Sequence, residues 1–81
     1  MNYKNLKNYP INLTAREIKE FDADSGVIFV PQTNTKIFLH WMTDTGKIYA
    51  THTLLYPTLV QNKLKIINGP DDSQILVIEL G

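Results

Sequence analysis

The chain contains no cysteine, one arginine, one tryptophan and no apolar run longer than four residues. The missing cysteines remove disulfides, thiolate zinc sites and cysteine nucleophiles together, and they suit a reducing compartment such as the cytoplasm. The four-residue runs, Val27-Ile28-Phe29-Val30 and Ile75-Leu76-Val77-Ile78, fall far short of the ~20 apolar residues of a membrane helix. The opening MNYKNLKNYPINLT has no continuous apolar core and no small-residue cleavage site, so no signal peptide and no membrane partner are expected. Eight basic residues balance eight acidic ones, and the seven lysines are scattered. A phosphate-backbone binder needs a basic face, so nucleic acid is disfavoured as the main partner.

What remains is a globular composition, 43% hydrophobic over 81 residues, enough for a single domain spanning 1–81. Residues 1–10 read as a flexible N-terminal segment, in which Tyr3 and Tyr9 are candidate surface anchors. Beyond them the apolar pattern is mostly period two, broken by turn signals at short intervals. That predicts a mainly β fold: a small antiparallel sheet, as a partly open barrel or a sandwich, with at most one short helix. Helix is weighed for residues 14–21, where Thr14 and Glu17 have capping-box spacing, and for 57–63, where Pro57 suits a first turn. For the first stretch a strand running into a hairpin turn at Asp24-Ser25-Gly26 is preferred, because another strand follows at once.

The strongest hairpin signal is KIFLHWMT and KIYATHTLLY flanking Asp44-Thr45-Gly46, a three-residue loop with glycine in the left-handed position. Pairing Thr43 with Lys47 predicts Trp41 opposite Tyr49, Leu39 opposite Thr51 and Ile37 opposite Thr53. The other face then holds Met42 with Ile48, His40 with Ala50 and Phe38 with His52. Both faces are apolar enough to predict a central hairpin covered on both sides, or on one side by a second subunit.

Four chemistries are suggested by short patterns. Asp44-Thr45-Gly46 spells the aspartic-protease triplet, and a homodimer would supply the pair of carboxylates that share a proton. Lys47 stands where that family usually has a small residue, and a hairpin turn explains all three residues. His40 and His52, the only histidines, become diagonal neighbours in the expected register, about 7 Å apart. No third zinc ligand accompanies them there, so no metal site is assigned. Asp22-Ala23-Asp24-Ser25-Gly26 resembles the start of a calcium loop, but its glycine is one place early and no glutamate closes the loop. Finally, Trp41, Tyr49, Tyr56 and Phe38 suggest a stacking platform with few cations beside it. The binding candidates are therefore His40, Trp41, Tyr49, His52 and Tyr56, with no catalytic set and no cofactor.

The segment INLTAREIKEFDADSGVIFVP (11–31) resembles the opening of a family of small phage and bacterial proteins of unassigned function. Those begin Asn-Leu-Thr-Pro-His, followed by an alternating strand, an Asp-Gly-type turn, a second apolar strand and a proline. Ile11-Asn12-Leu13-Thr14, Ile18, Asp22, Asp24, Gly26, Val27-Ile28 and Pro31 match, while Ala15-Arg16 replaces the Pro-His pair. Gly46-Lys47-Ile48-Tyr49 also looks like the Gly-x-Ile-Tyr that starts a later strand there. The likeness covers about a quarter of the chain. It implies a phage or mobile-element origin, hence the host cytoplasm, and carries no activity.

The expected function is a non-enzymatic binding protein, an accessory factor that binds and blocks a host defence protein or a nucleotide-type signal. The alternatives are a structural module of a virion or larger complex, and a dimeric aspartic hydrolase acting through Asp44. Edge strands in so short a chain also suggest a homo-oligomer.

Overall fold

The computed structural model describes residues 7–80. They form eight strands: β1 (Asn8–Leu13), β2 (Ile18–Asp22), β3 (Val27–Pro31), β4 (Ile37–Met42), β5 (Ile48–Thr53), β6 (Thr58–Val60), β7 (Lys63–Asn68) and β8 (Ser73–Glu79). One sheet runs β1-β8-β3-β6 and the other β2-β7-β4-β5, with every pairing antiparallel. We call them sheet A and sheet B. Strand β1 pairs with β8, β2 with β7, β3 with β6 and β4 with β5, so the chain is one long hairpin with its tip at Asp44. Two further pairings, β3 with β8 and β4 with β7, roll that hairpin into two layers. This is the jelly-roll arrangement of a β-sandwich.

Period-two alternation puts one side chain in two between the layers. Phe29, Ile37, Leu39, Val60, Ile66, Ile75 and Val77 are fully enclosed there, joined by Leu13, Leu54 and Leu64. Phe21 meets Phe29 edge to face, centroids 5.2 Å apart. Tyr9, expected as a surface anchor, instead packs against this core from β1, which begins inside the stretch expected to be flexible. Its hydroxyl lies 3.4 Å from a Glu79 carboxylate oxygen, and burial followed by the Glu79 charge pushes its pKa up. Tyr3 lies outside the described residues.

Neither stretch weighed as helix is helical. Residues 57–63 form β6 and a turn at Asn62, a residue type that tolerates its left-handed φ of 67°. In the first stretch Thr14–Glu17 makes a single turn, with Arg16 at φ 62°. Glu17 reaches back to accept from the Thr14 N–H (2.9 Å) and Thr14 Oγ1 (3.2 Å). That is half of a capping box without a helix behind it, because β2 starts at once and is drawn onto β7.

The backbone bond from Thr14, more than the neighbouring Lys19, holds the Glu17 carboxyl below its ordinary value. A depressed carboxyl adds stability above the unfolded pKa and loses it as pH falls through the folded one. Glu17→Gln is therefore expected to flatten the acid side of a melting-temperature profile; profiles that superimpose would remove Glu17 from that role.

The Asp24-Ser25-Gly26 turn is not a hairpin. It carries the chain from β2 in sheet B to β3 in sheet A, with Ala23 buried at the crossing. Both edges of β3 are taken, by β8 and β6, so β2 has no room to pair with it. Among the described strands only the β4–β5 connection stays within a sheet. Among the described residues no helix is long and apolar enough to cross a membrane.

Candidate functional site

The β4–β5 loop forms as expected. Thr43 N–H donates to Lys47 O (2.8 Å), Gly46 N–H donates to Thr43 O (2.9 Å), and Gly46 has φ 86°. The hydroxyls of Thr43 and Thr45 meet at 3.0 Å, and Lys47 N–H also donates to Thr43 Oγ1. Asp44 stands exposed at this tip, and the triplet has a complete explanation as a turn.

The register beyond the loop departs from expectation. Met42 does pair with Ile48, but a bulge follows, and from there Trp41 pairs with Ala50, His40 with Thr51, Leu39 with His52 and Phe38 with Thr53. Tyr49 is the extra residue. A one-residue slip turns every later side chain to the other face. The reason lies five residues on: the slip places Leu54 opposite Ile37, where it is 1% exposed, and turns Thr51 and Thr53 to the outside. Without it two threonines would face the core and Leu54 would lie outside.

The slip separates the two histidines. His40 points outward in a row with Glu20, Lys65 and Thr51, whereas His52 points inward beside Leu39. They are not diagonal neighbours. Among the described residues no group of three or more His, Asp or Glu is placed to hold a metal ion. Nor is the hairpin central: β4 lies between β7 and β5, and β5 is the edge of sheet B.

The other expected residues fall into two pairs along that edge. Trp41 packs against the core and donates from Nε1 to Gln61 O at 2.7 Å, tying β4 to the β6–β7 turn. With exposed Tyr49 and Leu59 it lines an open depression of about 280 Å³. Further along, His52 meets Tyr56 edge to face at 6.4 Å, and His52 Nε2 is buried with no hydrogen-bond partner. A larger cleft of about 550 Å³ lies near the hairpin tip, where the carboxylates of Glu20, Asp22 and Asp44 share the lining with Lys63 and Lys65. Mixed charge of that kind selects neither anions nor cations.

The most distinctive surface is elsewhere. On the outer face of sheet A, Leu59, Ile28 and Ile78 stand in one cross-strand row, and Val30, Leu76 and Pro10 in the next. Leu80 borders Leu59 at the end of the first row, around Gly26. The outer face of a sandwich ordinarily alternates to polar residues. Sequence reasoning assigned none of these residues to a site, although the signal was present. An unbroken run such as VIFV or ILVI leaves no polar position for a solvent side.

These features define an eight-stranded jelly-roll sandwich with one apolar outer face and one aromatic-bordered edge. No family model, curated protein or solved structure matches the chain.

Proposed function

We propose that this protein is a non-enzymatic binding module that docks the outer face of sheet A against another protein. The observation behind the reading is the pair of apolar rows, Leu59-Ile28-Ile78 and Val30-Leu76-Pro10, on the outer side of the sheet, where Leu59 and Pro10 are exposed and Ile28, Ile78, Val30 and Leu76 are half-buried. Contiguous apolar surface on a small domain marks an interaction site. A protein partner suits it better than a nucleotide-type signal, because the cleft near the hairpin tip sets three carboxylates beside its two lysines. The resemblance of residues 11–31 to small phage proteins points to a host factor as the partner, met in the host cytoplasm. The reading assigns no catalysis, and Asp44 serves the turn.

A structural module of a virion or larger assembly is the second reading, favoured by the jelly roll, an architecture that recurs in capsid domains. It uses the same face, and a permanent rather than reversible contact distinguishes it.

The test is capture of a partner from host lysate by the intact chain and by a Leu59→Asp/Leu76→Lys double variant. Both side chains point out of sheet A, so the variant is expected to keep its circular dichroism spectrum. Loss of a central apolar anchor weakens binding by about 2 kcal/mol or more, at least tenfold. A partner retained in full by the folded variant would refute the proposal.

A further inference from the structure

We infer that β5 is an open docking edge that takes β5 of a second copy of this chain, antiparallel, so that two B sheets join into one of eight strands. The backbone supplies the first argument. Leu54 N–H donates to Ile37 O on the β4 side. Antiparallel alternation then turns the backbone groups of His52 and Ala50 toward β4 as well. Those of Thr51 and Thr53 face away from the sheet.

The four edges supply the second argument. Proteins shield such edges with proline, charge, brevity or a bulge. Strand β1 carries Pro10 in its middle, β2 carries Lys19, Glu20 and Asp22, and β6 is three residues long and follows Pro57. Strand β5, IYATHT, has six residues with no proline, lysine or acid. Its bulge lies at the start and leaves Ala50–Thr53 in regular register.

Self-complementarity selects a second copy over an unrelated strand. A two-fold axis normal to the sheet through Thr51 pairs Thr51 with its own image, exchanging both backbone bonds. Small Ala50 then lies opposite the His52 imidazole on the inner side, and Tyr49 lies opposite Thr53. Exposed apolar residues stand at both ends of β5, Ile48 (51%) and Tyr49 (59%) at its start and Leu55 (71%) and Tyr56 (60%) just after its end. The antiparallel two-fold brings each start against the other copy's end, covering both groups twice. The chain has zero net charge, so no bulk repulsion opposes the pairing. A two-fold contact consumes both open edges and closes as a dimer.

Light scattering after sizing of the intact chain, at rising concentration, is expected to approach twice the 9.3 kDa chain mass. Thr51→Pro removes an N–H that faces away from β4, and Thr51→Lys sets two like charges on the axis. Both are expected to return the mass to one chain with an unchanged dichroism spectrum. The chain has no cysteine of its own. Thr51→Cys is therefore expected to oxidise to a covalent dimer, since opposed residues in such a pair lie about 5.5 Å apart, within reach of a disulfide. The Leu59→Asp/Leu76→Lys variant, altered on sheet A, is expected to stay dimeric. A one-chain mass at every concentration would overturn the inference. So would a dimer that survives both folded edge variants, or one lost only in the sheet A variant.

Discussion

Phe29→Ala is expected to lower the unfolding free energy by about 3–5 kcal/mol, the usual range for emptying a fully buried aromatic site. Phe29 has no exposed surface and lies on the inner face of β3. Its ring meets Phe21 from the opposite layer at 5.2 Å, at an interplanar angle of 71°, so truncation loses this edge-to-face contact and leaves a hole between the layers. The strands on either side of β3 are hydrogen-bonded to it, which limits collapse into the space. At roughly 0.05–0.15 kcal/mol per residue, a chain of this length has about 4–12 kcal/mol in all. The expected loss is therefore about a quarter of the total or more. Urea denaturation followed by tryptophan fluorescence measures the difference, because Trp41 packs against the same core. A midpoint within experimental error of the parent would show that the layers close over the gap.

The second large effect is expected at Asn68, a buried polar residue whose side chain joins three segments. Its Nδ2 donates to Thr14 O (2.7 Å) and Asp71 O (2.8 Å), with a longer contact to Leu13 O, and its Oδ1 accepts from Ser73 Oγ (2.6 Å). Its own N–H donates to Glu17 O. One amide thus pins the β1–β2 turn, the end of β7 and the start of β8. Next to it the backbone approaches closely at Gly69, where a Cβ would lie 2.8 Å from Lys36 O. Asn68→Ala strands the buried Ser73 hydroxyl and the carbonyls that the amide served, at about 1–3 kcal/mol for each group that water does not reach. A total loss of about 3 kcal/mol is expected. Asn68→Asp, almost identical in size, is expected to be no better at neutral pH, since a carboxylate oxygen replaces the donor facing two carbonyls. If the aspartate variant melts with the parent, the effect belongs to volume and not to hydrogen bonding.

The sequence carried the mainly β class because period two and frequent turn residues are local properties, and the Asp44-Thr45-Gly46 loop could be placed to the residue. Register and partnership were out of reach because they depend on distant segments. Nothing within IYATHT announces a bulge at Tyr49; its reason is the burial of Leu54 against Ile37 on another strand. The Asp24-Ser25-Gly26 turn looked like a hairpin because turn chemistry is the same whether a strand returns beside its predecessor or crosses to a facing layer. Of the five site candidates, Trp41 and Tyr49 share a depression and His52 meets Tyr56, while His40 stands apart on the outer face because the register shift turned His52 inward. The apolar face of sheet A was overlooked for a different reason. Val27–Val30 and Ile75–Ile78 were read only as short apolar runs, and whether both sides of a strand are covered depends on how many layers the chain can build.

The pairing of β8 between β1 and β3 also bears on how the molecule is made. Strand β8 is the last of the eight to leave the ribosome, yet it is an inner strand of its sheet and supplies Ile75 and Val77 to the core. Until it emerges, β1 has no neighbour in sheet A, and β3 has only the three residues of β6. The hairpin at Asp44 can form early, because its contacts are local, but sheet A must wait for ends that are far apart in sequence to meet. Such non-local closure is slow compared with helical folding. The nascent chain therefore holds β1 unpaired, and β3 paired along one edge at most, through most of its synthesis, which makes this interval the one in which it is most exposed to aggregation or to capture by a chaperone.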